Sequence, residues 1–77
     1  MGSVEDKVRL MVKNISKVED DIRLGDYLIQ DLGLDSIDRM DLFMNIEDEF
    51  DIKISYKEEK AILKVQDIVN LIKKMGY

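Results

Sequence analysis

Residues 36–50 contain neither glycine nor proline, and their apolar members recur at helical spacing. This unbroken amphipathic stretch constrains the fold more than any other feature, and the cap-type pair Asp35 and Ser36 marks its start. A helix of that length must bury a face against neighbours, and the flanking segments offer them. Val4, Val8, Met11 and Ile15 follow i, i+4, i+7, i+11 spacing behind Ser3 and Asp6, which resemble a capping box with Asp in place of Glu. That spacing predicts a helix over 4–14. Val65, Ile68, Val69 and Ile72 outline a last helix ended by Gly76, with Lys73 and Lys74 complementing its negative end. Between these, residues 51–64 set Ile52, Ile54, Ile62 and Leu63 around Lys57-Glu58-Glu59-Lys60, a pattern that predicts a loop with one or two short helical turns. Residues 16–34 hold two glycines and five acids. They also carry Val18, Ile22, Leu24, Leu28, Leu32 and Leu34, too many hydrophobes for a free linker, so a long loop packed onto the bundle is expected. The expected fold is all-α: a small bundle of three main helices plus one short helix, with a long loop between the first and second helices, in a single domain over 1–77.

A chain of 77 residues builds a core worth only about 3–5 kcal/mol of net stability when nothing staples it. It contains no Cys and no His. Disulfides and thiolate metal sites are therefore excluded, and the usual general base, zinc ligands and activated nucleophile are missing. The acids do not meet the spacing of a calcium loop from Asp20 or Asp31, which leaves no metal site in the reading. An enzyme is not expected.

Charge is distributed unevenly. Between Asp31 and Asp51 eight acids face the single base Arg39, so this stretch carries −7 of a chain whose net charge is −5. Such a field repels nucleic acid and anionic membranes and speeds encounter with basic protein surfaces. No run approaches the roughly 18 apolar residues of a membrane span. A monomeric cytoplasmic protein with basic protein partners is the expectation.

At about 100° per residue, the 36–50 helix carries two apolar stripes. Leu42, Phe43, Ile46 and Phe50 form one; Ile37, Met40 and Met44 form the other, flanked by Asp41, Glu47 and Asp48, with Ser36 at the top. One stripe suffices for burial. Met and Ile at helical spacing most often belong to a core, which would put the second stripe beneath the 16–34 loop. The alternative is an exposed ridge edged by carboxylates that a basic partner reads. Ser36 is open to two readings as well: a cap contributing about 1 kcal/mol, or an attachment point where unpaired N–H groups favour a phosphate.

The run Asp31-Leu32-Gly33-Leu34-Asp35-Ser36-Ile37-Asp38, followed by Leu42, Met44, Ile46, Glu47, Asp48, Glu49 and Phe50, resembles the acyl carrier protein signature around its modified serine. The likeness continues through Ile54 to Val65-Gln66-Asp67. It implies that Ser36, in the triplet Asp35-Ser36-Ile37, carries 4′-phosphopantetheine received from coenzyme A through a magnesium-dependent phosphopantetheinyl transferase, with Asp35 assisting. The arm would then provide the only thiol, a role in which the cofactor supplies the chemistry. By the same resemblance, acyl thioesters would be delivered to acyl-transferring and chain-elongating enzymes of fatty-acid biosynthesis that bear basic docking patches. Ile37, Asp38, Met40, Asp41, Met44, Glu47 and Asp48 would form the partner face. Growing acyl chains in such carriers lie between helices, which makes Ile46 and Ile62 candidate lining residues.

Several positions depart from the family pattern. Ser55 and Tyr56 stand where members often have Pro and an acid, Lys57 and Lys60 enter a usually acidic third helix, and Lys64 stands where a Thr commonly opens the last one. Arg39 replaces a small or polar residue and falls toward the core side of its helix. These differences bear on partner choice, and a discrete carrier of a specialised pathway, with polyketide, aminoacyl or D-alanyl cargo, is the alternative. The competing class is an unmodified acidic helical interaction module.

Overall fold

The computed structural model describes residues 3–77; Met1 and Gly2, where the expected domain begins, lie outside the described residues. Four helices follow in order: α1 (Val4–Ile15), α2 (Ser36–Phe50), α3 (Tyr56–Ala61) and α4 (Val65–Lys74). The all-α expectation holds, with α2 at its expected bounds and α1 one residue longer at its end. Local chemistry starts each helix. The Ser3 hydroxyl accepts from the Asp6 N–H at α1. At α3, Ser55 and Glu58 form a reciprocal capping box, so Ser55 performs the start-of-helix role at a position where the family often has Pro. Lys64 carries no acceptor, and at α4 Asp67 Oδ2 accepts from the N–H groups of Leu63 and Lys64 (both 3.0 Å).

Packing joins α1 to α4 and to α2 around one core that includes Val8, Val12, Leu42, Ile46, Val65 and Ile68. Helix α3 buries no residue of its own. It depends on its cap and on what reaches it from α2. The loop over 16–35 lays Ile22, Leu28, Leu32 and Leu34 into the core. Backbone bonds fasten it to the start of α4: Leu28 N–H to Leu63 O (3.0 Å), Val65 N–H to Asp26 O (3.1 Å) and Gln66 N–H to Leu24 O (2.8 Å).

The last turn of this loop sets the position of α2. Leu32 and Leu34 point inward on either side of Gly33, whose φ of +71° is left-handed and whose missing Cβ would sit 3.2 Å from Lys17 Cβ. Gly33→Ala therefore meets both backbone strain and crowding, and should cost about 1–2 kcal/mol. Urea unfolding is the measurement: the midpoint should drop with its slope unchanged.

Candidate functional site

Asp35 holds the N-cap position of α2, where its Oδ1 accepts from the Asp38 N–H (2.8 Å) while Asp38 Oδ2 accepts from the Asp35 N–H (3.2 Å). The cap requirement is met by this pair. Ser36 is thereby released from capping: it stands at the first helical position, exposed, and its hydroxyl makes no hydrogen bond among the described residues. The reading of Ser36 as a mere cap is set aside on that ground. Leu34, nearly sealed at 1 % exposure, anchors the backbone just behind it. An exposed hydroxyl on a firmly held helix start has the geometry an attached phosphodiester needs, with the positive end of α2 beside it.

The carboxylates around this hydroxyl are not equivalent. Lys17 Nζ reaches across from the loop to Asp38 Oδ2 at 2.7 Å. That contact, ahead of the N–H bond from Asp35, holds the Asp38 carboxyl below the ordinary Asp value and raises Lys17 in return. Sequence reading missed Lys17, since its partner is 21 residues away. Glu47 is likewise turned to a structural task, accepting the Ile54 N–H at 2.8 Å through Oε2. Two of the acids expected on a partner face are thus engaged within the chain, and Asp41 and Asp48 remain outward and exposed.

The second apolar stripe is a ridge. Ile37 is 69 % exposed, Met40 56 % and Met44 58 %, so the burial beneath the 16–34 loop that the pattern favours does not occur. The physical reason is that Leu28, Leu32 and Leu34 of that loop already pack with Leu42, Phe43 and Ile46, leaving the other side of α2 uncovered. The two residues expected to line an acyl site, Ile46 and Ile62, are core residues with 0 % and 3 % exposure. Ile62 also borders a shallow depression of about 260 Å³ that no residue of α2 lines.

Depressed carboxylates make stability depend on pH. Glu5, Asp6, Asp38 and Glu58 all lie below their ordinary values, held there chiefly by Lys73, by Arg9, by Lys17 and by the Ser55 N–H respectively. A carboxyl lowered by folding contributes stability above its unfolded value and loses it as pH falls through the folded one. Thermal midpoints should accordingly be level at neutral pH and decline as pH drops below the ordinary values of 4.5 for Glu and 3.8 for Asp. Lys17→Ala should shrink the part of that decline due to Asp38.

With this geometry in view, similarity to known proteins is informative. The family profile described as a phosphopantetheine attachment site matches residues 6–72. The chain belongs to the acyl carrier protein family. Acyl carrier proteins of Campylobacter lari and Campylobacter concisus are 32 % and 34 % identical to it, over 97 % and 99 % of both this chain and theirs. A solved structure from Mycobacterium tuberculosis, described as a candidate acyl carrier protein, superposes with a TM-score of 0.88 at 29 % identity and covers 95 % of this chain and 99 % of its own. Members of the family are carriers rather than enzymes, interact with partner enzymes, and bear 4′-phosphopantetheine as their prosthetic group. In this carrier the residues fit such a group: Ser36 Oγ is accessible, Asp35 holds the turn before it, and Lys17 offsets one of the two nearest carboxylates. The reactive thiol, which the chain itself lacks, is what the arm supplies. None of its helices is long and apolar enough to cross a membrane among the described residues.

Proposed function

We propose that this chain is a single, monomeric, cytoplasmic carrier domain that bears the arm on Ser36 and delivers acyl thioesters to enzymes of fatty-acid biosynthesis. The observation that carries the attachment site is the exposed Ser36 hydroxyl at the start of a helix that Asp35 and Asp38 cap without it. Transfer forms a phosphodiester at Ser36 Oγ as the pyrophosphate bond of coenzyme A breaks, the adenosine bisphosphate leaves and the hydroxyl proton is lost. Asp35 assists by holding the turn. Partners with basic patches, the transferase first among them, dock on Ile37, Met40 and Met44 between Asp41 and Asp48, while Asp38 and Glu47 act mainly by shaping the helix ends.

The fatty-acid route is supported by the acidity of α2 around Ser36. A discrete carrier of a specialised pathway is the second reading, favoured by Lys57 and Lys60 on α3 and by Arg39 on α2. Incubation with coenzyme A, magnesium and transferases of several types should add one arm, which peptide mapping places on Ser36. A chain left unmodified by all of them would instead be an interaction module. Its partner binding would survive without the arm, weaken at high salt, and be lost on charge reversal at Asp41 and Asp48.

A further inference from the structure

Arg39 is the one base in the acidic stretch 31–51, and it is turned inward. From the first turns of α2 its Nη2 donates to two carbonyls at the end of α3, Glu59 O (3.1 Å) and Ile62 O (2.9 Å). The guanidinium lies 5.6 Å from the centroid of the Phe43 ring on its own helix. Its Nε is buried and has no partner among the described residues. The guanidinium is thus half-buried between the two helices, with its Nε on the covered side.

Among the described residues α3 buries no side chain between Tyr56 and Ala61, so the two Arg39 bonds act together with the buried Ile62 at its end and the Glu47 contact to the Ile54 N–H just before it. Arg39 thus bridges the line where α2 and α3 meet, and Ile46 and Ile62 behind it are already packed into the core. A depression between Met40, Phe43, Met44, Glu47, Ile54 and Glu59 has a volume of about 130 Å³. The other depression at Ile62 receives no residue from α2.

We infer that Arg39 clamps α3 onto α2, keeps an acyl chain out of the bundle, and so suits this carrier to short or polar acyl groups that stay in solvent on the arm. The inference rests on the carrier reading but not on either pathway. A long alkyl chain would have to break two hydrogen bonds and displace a charged group from its ring contact before reaching apolar surroundings. A short or polar group gains less from burial, in proportion to the few CH₂ groups it would bury, too little to offset those losses. Arg39 is on this view a specificity-determining residue, acting on cargo that it need not touch.

The test uses wild type and Arg39→Ala, each converted to the holo form and loaded with a short, a medium and a long saturated acyl group. Wild type should melt at one temperature whatever the cargo, and hydroxylamine should cleave all three thioesters at similar rates. In Arg39→Ala the long chain should raise the midpoint by about 4 °C or more over the short one and slow cleavage. Arg39→Met, which keeps the apolar stem over Phe43, serves the same comparison if the alanine variant does not fold. A wild-type midpoint that climbs with chain length overturns the inference, and so does a variant as indifferent to length as wild type. Intact mass separates the two levels: absence of any arm overturns the carrier reading and this inference with it, whereas an arm whose long cargo stabilises wild type overturns only the role of Arg39.

Discussion

Ser36→Ala is expected to abolish arm attachment completely and to leave the fold intact. The first half follows from chemistry: the phosphodiester needs an oxygen at this position, and alanine offers none. The second half follows from the division of labour at the start of α2. Asp35 Oδ1 takes the Asp38 N–H and Asp38 Oδ2 returns the favour, so deleting the Ser36 hydroxyl leaves no donor or acceptor unsatisfied. An exposed substitution of this kind should shift stability by no more than about 0.5 kcal/mol. Asp35→Ala should show the opposite balance, losing about 1 kcal/mol with the hydroxyl still in place. Intact mass after transferase treatment and thermal unfolding of the same samples measure both halves. A Ser36→Ala protein that still gained an arm would move the attachment site elsewhere, and one that unfolded would return the hydroxyl to a structural role.

That division of labour was only partly legible in the sequence. The bounds of α2 could be read because its determinants are local: a cap-type residue before it, no breaker within it, and a face that repeats at helical spacing. Its far end is marked less openly, since Asp51 rather than a glycine adopts the left-handed conformation there (φ 52°). The Asp35 and Asp38 box also sat within reach of a three-residue template, yet Asp38 reads as one more surface acid until Lys17 is found beside it. Glu47 is a similar case, because its partner is a backbone N–H beyond the helix end. For the same reason α3 could be located only as a short turn or two. With no buried residue it has no apolar stripe to betray it, and what fastens it comes from Arg39 on another helix. Whether Ile37, Met40 and Met44 lie inside or outside was undecidable from spacing. Three helices and a loop compete to cover α2, and the winner depends on how well Leu28, Leu32 and Leu34 fill the other side.

The second large effect concerns that filled side. Ile46→Ala should destabilise the protein by about 2–5 kcal/mol, the range for truncating a buried Ile, against a total that for an unstapled domain of this size is about 3–5 kcal/mol. A substantial unfolded population at room temperature is the expected result, read as a lower urea midpoint with an unchanged slope. The size of the loss decides between two descriptions of Ile46. If it stood on the wall of a cavity already open for an acyl chain, truncation would forfeit mainly the transfer of its own methyl groups and the loss would lie toward the low end. If it is part of a packed core, as its 0 % exposure beside Leu42, Phe43 and Phe50 indicates, a new void is created as well and the loss moves upward. The void would also be a hole of the protein's own making, sealed from the arm by the Arg39 bridge. Loading the variant with a long acyl group should then fail to restore its stability unless Arg39 is removed too, and full restoration with Arg39 in place would show that the α2–α3 line opens more readily than its contacts allow.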